Sequence, residues 1–191
     1  MHVEDIYAAL PTIETEHLCL RKLEEADLAD LFAYASDPEV AKYVTWPVHK
    51  SVNDSKQYLK FILKQYDLGQ IAPWGITLKH SNTLIGTIDF VSWNTAHHSA
   101  EIGYALARQY WGRGIVTEAA KALVDFGFKQ MALQRIQARC YVENIGSARV
   151  MEKIGMQFEG IARSALYVGD QFHDVRIYAI IKEDGQKEDF V

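Results

Sequence analysis

Apolar and polar residues alternate through Ile102, Tyr104 and Leu106, the period of a half-buried strand. From Ile115 the apolar spacing lengthens to that of a helix, through Ala119, Leu123 and Phe126. Two earlier segments keep the helical period. In 24–35, Ala26, Leu28, Leu31, Phe32 and Ala35 share a face, and Asp37-Pro38 closes the helix. In 52–66 the inward positions are Tyr58, Leu59, Ile62 and Leu63, with Gly69 just past the end. Residues 18–23 read as a short strand. Segments 72–79 and 83–93, rich in Ile, Thr and aromatics, flank the turn residues His80-Ser-Asn82 and predict an antiparallel pair. Strands follow at 99–106 and 135–141 and helices at 114–130 and 147–154. A closing antiparallel pair, 161–168 and 175–182, turns at Gly169-Asp170. The residues before Thr15 read as a loose arm, and the charged tail 183–188 is expected to fray. Strands and helices intermix without a linker, repeat or low-complexity segment, which predicts one α+β domain over residues 1–191.

Composition narrows the class. A chain of 191 residues with 49% hydrophobic side chains can build a substantial single core. The net charge of −5 argues against nucleic acid as an obligatory partner, because phosphate-neutralising surfaces cluster Lys and Arg. Cys19 and Cys140 sit in apolar strand-like runs with no metal or disulfide spacing, as free thiols of a reducing compartment do. No apolar run reaches a membrane span, and Met1-His-Val-Glu-Asp does not open a signal sequence, so a soluble, cytoplasmic protein is expected.

Chemistry concentrates between residues 100 and 119, where strand meets helix through Gln109-Tyr-Trp-Gly112-Arg-Gly114. A glycine turn opening a helix leaves backbone N–H groups aimed outward at the positive end of the helix dipole, which suits a phosphate. A Walker loop would need Gly-Lys-Ser/Thr here, and no such lysine follows Gly114. A Rossmann fingerprint would need a small residue at Thr117 and an acid about 20 positions on, where Gln137-Ala-Arg139 stands.

Gln109-x-x-Gly112-x-Gly114 resembles the Q/R-x-x-G-x-G/A motif of the GNAT N-acetyltransferase superfamily. Asn144-Ile-Gly-Ser147-Ala-Arg-Val-Met151-Glu-Lys-Ile-Gly155-Met-Gln-Phe158 resembles the N-x-x-S-x-x-x-x-E-K-x-G-F helix of its ribosomal-protein (RimJ/RimL-type) branch. Thr15-Glu-His-Leu18-Cys-Leu20-Arg21, with Glu24 to Asp27 after it, is similar to that branch's opening. The resemblance spans about residues 15–184. It implies a mixed, mostly antiparallel sheet with splayed central strands and helices on both faces. It also implies acetyl-CoA as cosubstrate, no metal, an amine acceptor, and a homodimer as a possible assembly.

By the same resemblance the backbones of Ala105 and Leu106 would bind the pantetheine arm. The amides of Trp111, Gly112, Arg113, Gly114, Ile115, Val116 and Thr117 would bind the pyrophosphate, and Asn144 the arm again. Acyl transfer to an ammonium calls for a base, and departure of the thiolate can use an acid. Glu101 stands where superfamily members carry a catalytic glutamate. Ser147 is the candidate acid and a cofactor contact, because Met151 stands where other members place a tyrosine.

Each residue also has a plainer reading. Glu101 could be a solvated residue on the outward face of its strand, with Asp89 and Glu118 as rival carboxylates; Glu118 also suits the positive start of its helix. Ser147 could belong to a helix cap near Asn144. His97-His98 point to opposite faces of an extended chain and lack the neighbours of a metal site. Trp46, Trp74 and Trp93 could line an acceptor pocket, and the plainer reading, core, is preferred for each. Two functions therefore stand: direct acetyl transfer from acetyl-CoA to a primary amine, on a protein N-terminus or a small molecule such as a polyamine or antibiotic, or a non-catalytic acyl-CoA-binding module of the same fold.

Overall fold

The computed structural model describes residues 2–185. Its elements are α1 (Glu4–Tyr7), β1 (Ile13–Glu14), β2 (Leu18–Arg21), α2 (Leu28–Ala35), α3 (Pro38–Ala41), α4 (Val52–Asp67), β3 (Trp74–Leu78), β4 (Leu84–Asn94) and β5 (Ser99–Leu106). Then come α5 (Ile115–Gln130), β6 (Arg135–Tyr141), α6 (Ile145–Lys153), β7 (Gln157–Val168), β8 (Gln171–Ile181) and α7 (Lys182–Gly185). The eight strands form a sheet in the order β1-β2-β3-β4-β5-β6-β8-β7. Every pairing is antiparallel except β5 with β6.

Alternation along β4 sorts the two faces. Phe90 points toward α5, where a Cβ on Gly127 would meet its ring, and Ala119, Ala120 and Leu123 of α5 are fully buried on that side. Thr87 and Asp89 point the other way, toward Tyr34 of α2 and Tyr58 of α4. Helices therefore cover both faces, and each is anchored locally. Ser51 and Asp54 form a capping box at the start of α4. Arg21 donates twice to Asp27, at 2.8 Å each, and fixes the turn that leads into α2.

Three expectations change. The N-terminal residues are not a loose arm: Tyr7 is 0% exposed and its ring packs 5.8 Å from that of Trp74. Asp37-Pro38 ends α2 but also begins α3, because Pro38 takes a first-turn position and the Asp37 carboxylate accepts from Glu39 N at 2.9 Å. The last hairpin is longer than expected and turns at Gly169-Asp170, both with positive φ. Of the tail expected to fray, Glu183 and Asp184 lie in the short α7, and 186–188 fall outside the described residues. Among the described residues no helix is long and apolar enough to cross a membrane.

The feature that positions a site is the parting of β5 and β6. Their parallel register holds for only three pairs, ending at Glu101 with Gln137. Beyond that point β6 continues beside β8 to Tyr141, while β5 stays with β4 to Leu106. Backbone groups of residues 102–106 on the β6 side are left facing a gap.

Candidate active site

A cleft of about 920 Å³ follows this gap and opens at the turn between β5 and α5. Gly112 and Gly114 both have positive φ, +73° and +80°, and a Cβ at either would project into open space. Hydrogen bonding within α5 begins with Glu118 N donating to Gly114 O at 2.9 Å. The amides of Ile115, Val116 and Thr117 in its first turn therefore face the cleft without an intrahelical partner. Arg149 and Lys153 of α6 line the same cleft. Open amides, a helix dipole and two cations form a cradle that fits a diphosphate. Trp111 donates its indole Nε1–H to Leu106 O at 2.8 Å and so ties the turn back to the end of β5. The Arg113 guanidinium lies over the Tyr110 ring, 5.6 Å from its centre, and does not line the cleft; what this residue brings to the turn is backbone.

The backbone expectation for Ala105 needs correction. Its carbonyl points at β4, where a Cβ on Gly86 would clash with it, and the next bond in the ladder runs from Ala107 N to Ile85 O. Strand alternation then turns the backbone groups of Tyr104 and Leu106 to the gap. Leu106 faces the gap, although its carbonyl already accepts from Trp111; Tyr104, not Ala105, is its gap-facing companion.

Asn144 and Ser147 both line the cleft from α6. Asn144 Oδ1 accepts from Ser147 N at 3.1 Å and caps the helix, which leaves the Asn144 amide N–H₂ free to donate. The Ser147 hydroxyl is 2.7 Å from that of Tyr104, and burial raises the Tyr104 phenol above its ordinary range. Sequence reasoning placed Tyr104 only in the apolar row of β5. The signal available was a hydroxyl among aliphatics on an inward face, which needs a partner when buried. Met151 is fully buried core.

The three carboxylates separate. Glu101 is only 8% exposed and does not line the cleft. Its oxygens accept from Arg139 Nε at 2.7 Å and Gln137 Nε2 at 2.9 Å. Glu118 accepts from Thr15 Oγ1 and His17 N, bracing α5 against the start of β2. Asp89 lines the cleft from β4, beside the gap strand β5, with one oxygen 3.4 Å from where a Gly103 Cβ would sit. It lies deep in the protein yet keeps part of its surface open to the cleft, and burial pushes it up to about 7. Aromatic side chains complete this end: Tyr43 and Trp46 from the stretch after α3 and Tyr58 from α4. Among Trp46, Trp74 and Trp93, Trp74 is core; the other two pack against the core from partly buried positions, and Trp46 also lines the cleft.

Comparison with known proteins agrees with this geometry. The family model for the acetyltransferase (GNAT) domain matches residues 17–157, and the chain belongs to that family. An uncharacterized N-acetyltransferase, p20 of Bacillus licheniformis, is 33% identical over 175 residues, covering 92% of this chain and 98% of that protein. The ribosomal-protein-serine acetyltransferase of Escherichia coli (strain K12) is 35% identical over 98 residues, 51% of this chain and 55% of its own length. The crystal structure of a GNAT-family acetyltransferase from Bacillus anthracis superposes with a TM-score of 0.81 at 34% identity, over 91% of this chain and 99% of that one. The protein is an acetyltransferase with the GNAT fold.

Proposed function

We propose that this enzyme moves the acetyl group of acetyl-CoA to a primary amine, on a protein N-terminus or a small molecule, by direct transfer with both substrates bound together. One observation carries the reading: an anion cradle of open amides at the mouth of a gap between two parting strands. Acetyl-CoA would supply an activated acyl thioester. The amides from Trp111 to Thr117, with Arg149 and Lys153, would hold its phosphates. Leu106, Tyr104 and the Asn144 amide would hold its arm along the gap. The Tyr104 and Ser147 hydroxyls, paired within the cleft, would hand a proton to the departing sulfur. Among the described residues no activated serine or cysteine supports a covalent acyl-enzyme: burial raises the Cys140 thiol, which disfavours the thiolate. Free thiols and a cosubstrate of this kind suit the cytoplasm.

The test is calorimetric titration with coenzyme A, followed by thiol release with a panel of amines: peptides beginning with Ser or Ala, polyamines and aminoglycosides. Binding together with acceptor-dependent release is expected. A folded protein that binds no coenzyme A would overturn the proposal. The likeness to a ribosomal-protein-serine acetyltransferase places the Ser peptide first in the panel.

A further inference from the structure

We propose that Asp89, and not Glu101, takes the proton from the incoming acceptor ammonium. The inference rests on the acetyl-transfer reading of the same cleft.

Four observations converge on this residue. Glu101 does not line the cleft, and each of its oxygens already accepts a hydrogen bond, from Arg139 and Gln137. Asp89 faces the cleft and, among the described residues, neither hydrogen-bonds nor ion-pairs with any group. A carboxylate so deep and without a donor is costly to the fold, which is the mark of a group kept for chemistry. Asp89 also precedes a register shift between Phe90 and Ser92, a bulge of the kind that re-aims side chains beside active sites. Finally, its partner across the ladder is Gly103, two residues beyond the last β5–β6 pair. With no side chain on Gly103, the carboxylate lies against the backbone of β5 at the level where the gap begins.

The surroundings set its proton affinity. Tyr34 from α2, Tyr58 and Tyr66 from α4 and Tyr7 from α1 are neutral groups within its electrostatic reach. The other charged groups that line the cleft are Glu39, Arg139, Glu143, Arg149 and Lys153; Arg139 is paired with Glu101, and none of the cations offsets the burial of Asp89. Asp89 therefore has no cation of its own, and burial brings it to about 7. A base in that range takes a proton at neutral pH and gives it up again.

In the step, the Asp89 carboxylate accepts one proton from R–NH₃⁺, giving a neutral carboxylic acid and R–NH₂. The nitrogen lone pair forms the new N–C bond while the C–S bond breaks and its electron pair leaves on sulfur. The second proton lost by nitrogen reaches sulfur, giving the thiol, and Asp89 returns its own proton to water.

The experiment measures kcat/KM for the best acceptor of the amine panel from pH 5.5 to 9. It uses the full chain, its Asp89→Asn, Asp89→Ser and Glu101→Gln variants, and calorimetric coenzyme A affinities for each. The unmodified enzyme should show an acid limb near pH 7. Both Asp89 variants should lose that limb, fall by roughly 10²–10⁴-fold at pH 7 and bind coenzyme A normally, whereas Glu101→Gln should keep the limb. Retention of limb and rate in the Asp89 variants, or loss of the limb in Glu101→Gln alone, overturns the assignment. An unmodified enzyme that neither binds coenzyme A nor transfers acetyl refutes the underlying reading and this one with it.

Discussion

Tyr104 Oη and Ser147 Oγ lie 2.7 Å apart, joining β5 to α6 within the cleft across 43 positions of sequence. The phenol has a second acceptor in Ser147 O at 3.3 Å, so Ser147→Ala leaves it partly satisfied. A double-mutant cycle of Tyr104→Phe and Ser147→Ala should give a coupling energy of about 1 kcal/mol in urea denaturation. Each single change should lower kcat by about tenfold, because a thiolate departs tolerably well without help near its own pKa. A kcat loss of roughly 10³-fold would make the pair an obligatory acid.

Gly114→Val should weaken coenzyme A binding far more than it weakens the fold. At φ +80° a branched side chain costs about 1–2 kcal/mol in backbone strain, and it turns amides away from the cradle. Gly169→Val is the matched control, since Gly169 has φ +60°, equally open surroundings and a place in the β7–β8 turn. Both variants should lose similar stability, and only the first should lose affinity in calorimetry. Equal affinities would remove the phosphate role from the turn.

Asn144 has two separable duties. Its Oδ1 caps α6 and its N–H₂ faces the cleft. Asn144→Asp should keep the cap and raise the coenzyme A dissociation constant by about tenfold, one hydrogen-bond donor's worth. Asn144→Ala should show that loss together with about 1 kcal/mol of destabilisation. An Asp variant that binds like the unmodified protein would confine Asn144 to capping.

Much of this site was legible because its parts are local. The strands 99–106 and 135–141 were read with the boundaries they have, since period-two alternation marks a half-buried strand directly. The glycine turn and the Asn144 helix are contiguous motifs. The rest depends on contacts far apart in sequence. Helix α1 has four residues and no periodicity, and packing holds it: Tyr7 on Trp74, with Val3 and Ile6 against the core. Asp89 looks like one acid in a β-run, and folding alone gathers tyrosines from three helices around it. Glu101 occupied the right motif position, but Arg139, 38 residues on, claims its carboxylate.

The opening motif illustrates the reverse, a family resemblance whose residues serve the fold. Arg21 and Asp27 are 12% and 5% exposed, bonded at two points, and Asp27 also accepts from Glu24 N at 2.8 Å. Asp27→Asn should destabilise the protein by about 3 kcal/mol, as loss of one partner from a buried pair does, and leave coenzyme A affinity unchanged. Urea denaturation and calorimetry on the same sample decide it. A change in affinity without a change in stability would move this pair into the site.

Asp89 makes the last prediction, which concerns stability and is independent of any rate. Burial raises it from 3.8 to about 7, so between those values the native state holds a proton that the unfolded chain has released. Stability then falls as pH rises through this window and levels off above about 7. The loss amounts to a few kcal/mol at most, a figure good to order of magnitude. Asn at this position carries no proton to lose. Asp89→Asn should therefore match the unmodified protein near pH 4 and become the more stable of the two by pH 8. Urea denaturation of both proteins at intervals across that range isolates the effect, because every other titrating group is common to the pair. Parallel curves would mean that Asp89 ionises as an ordinary carboxylate, exposed to water through the cleft.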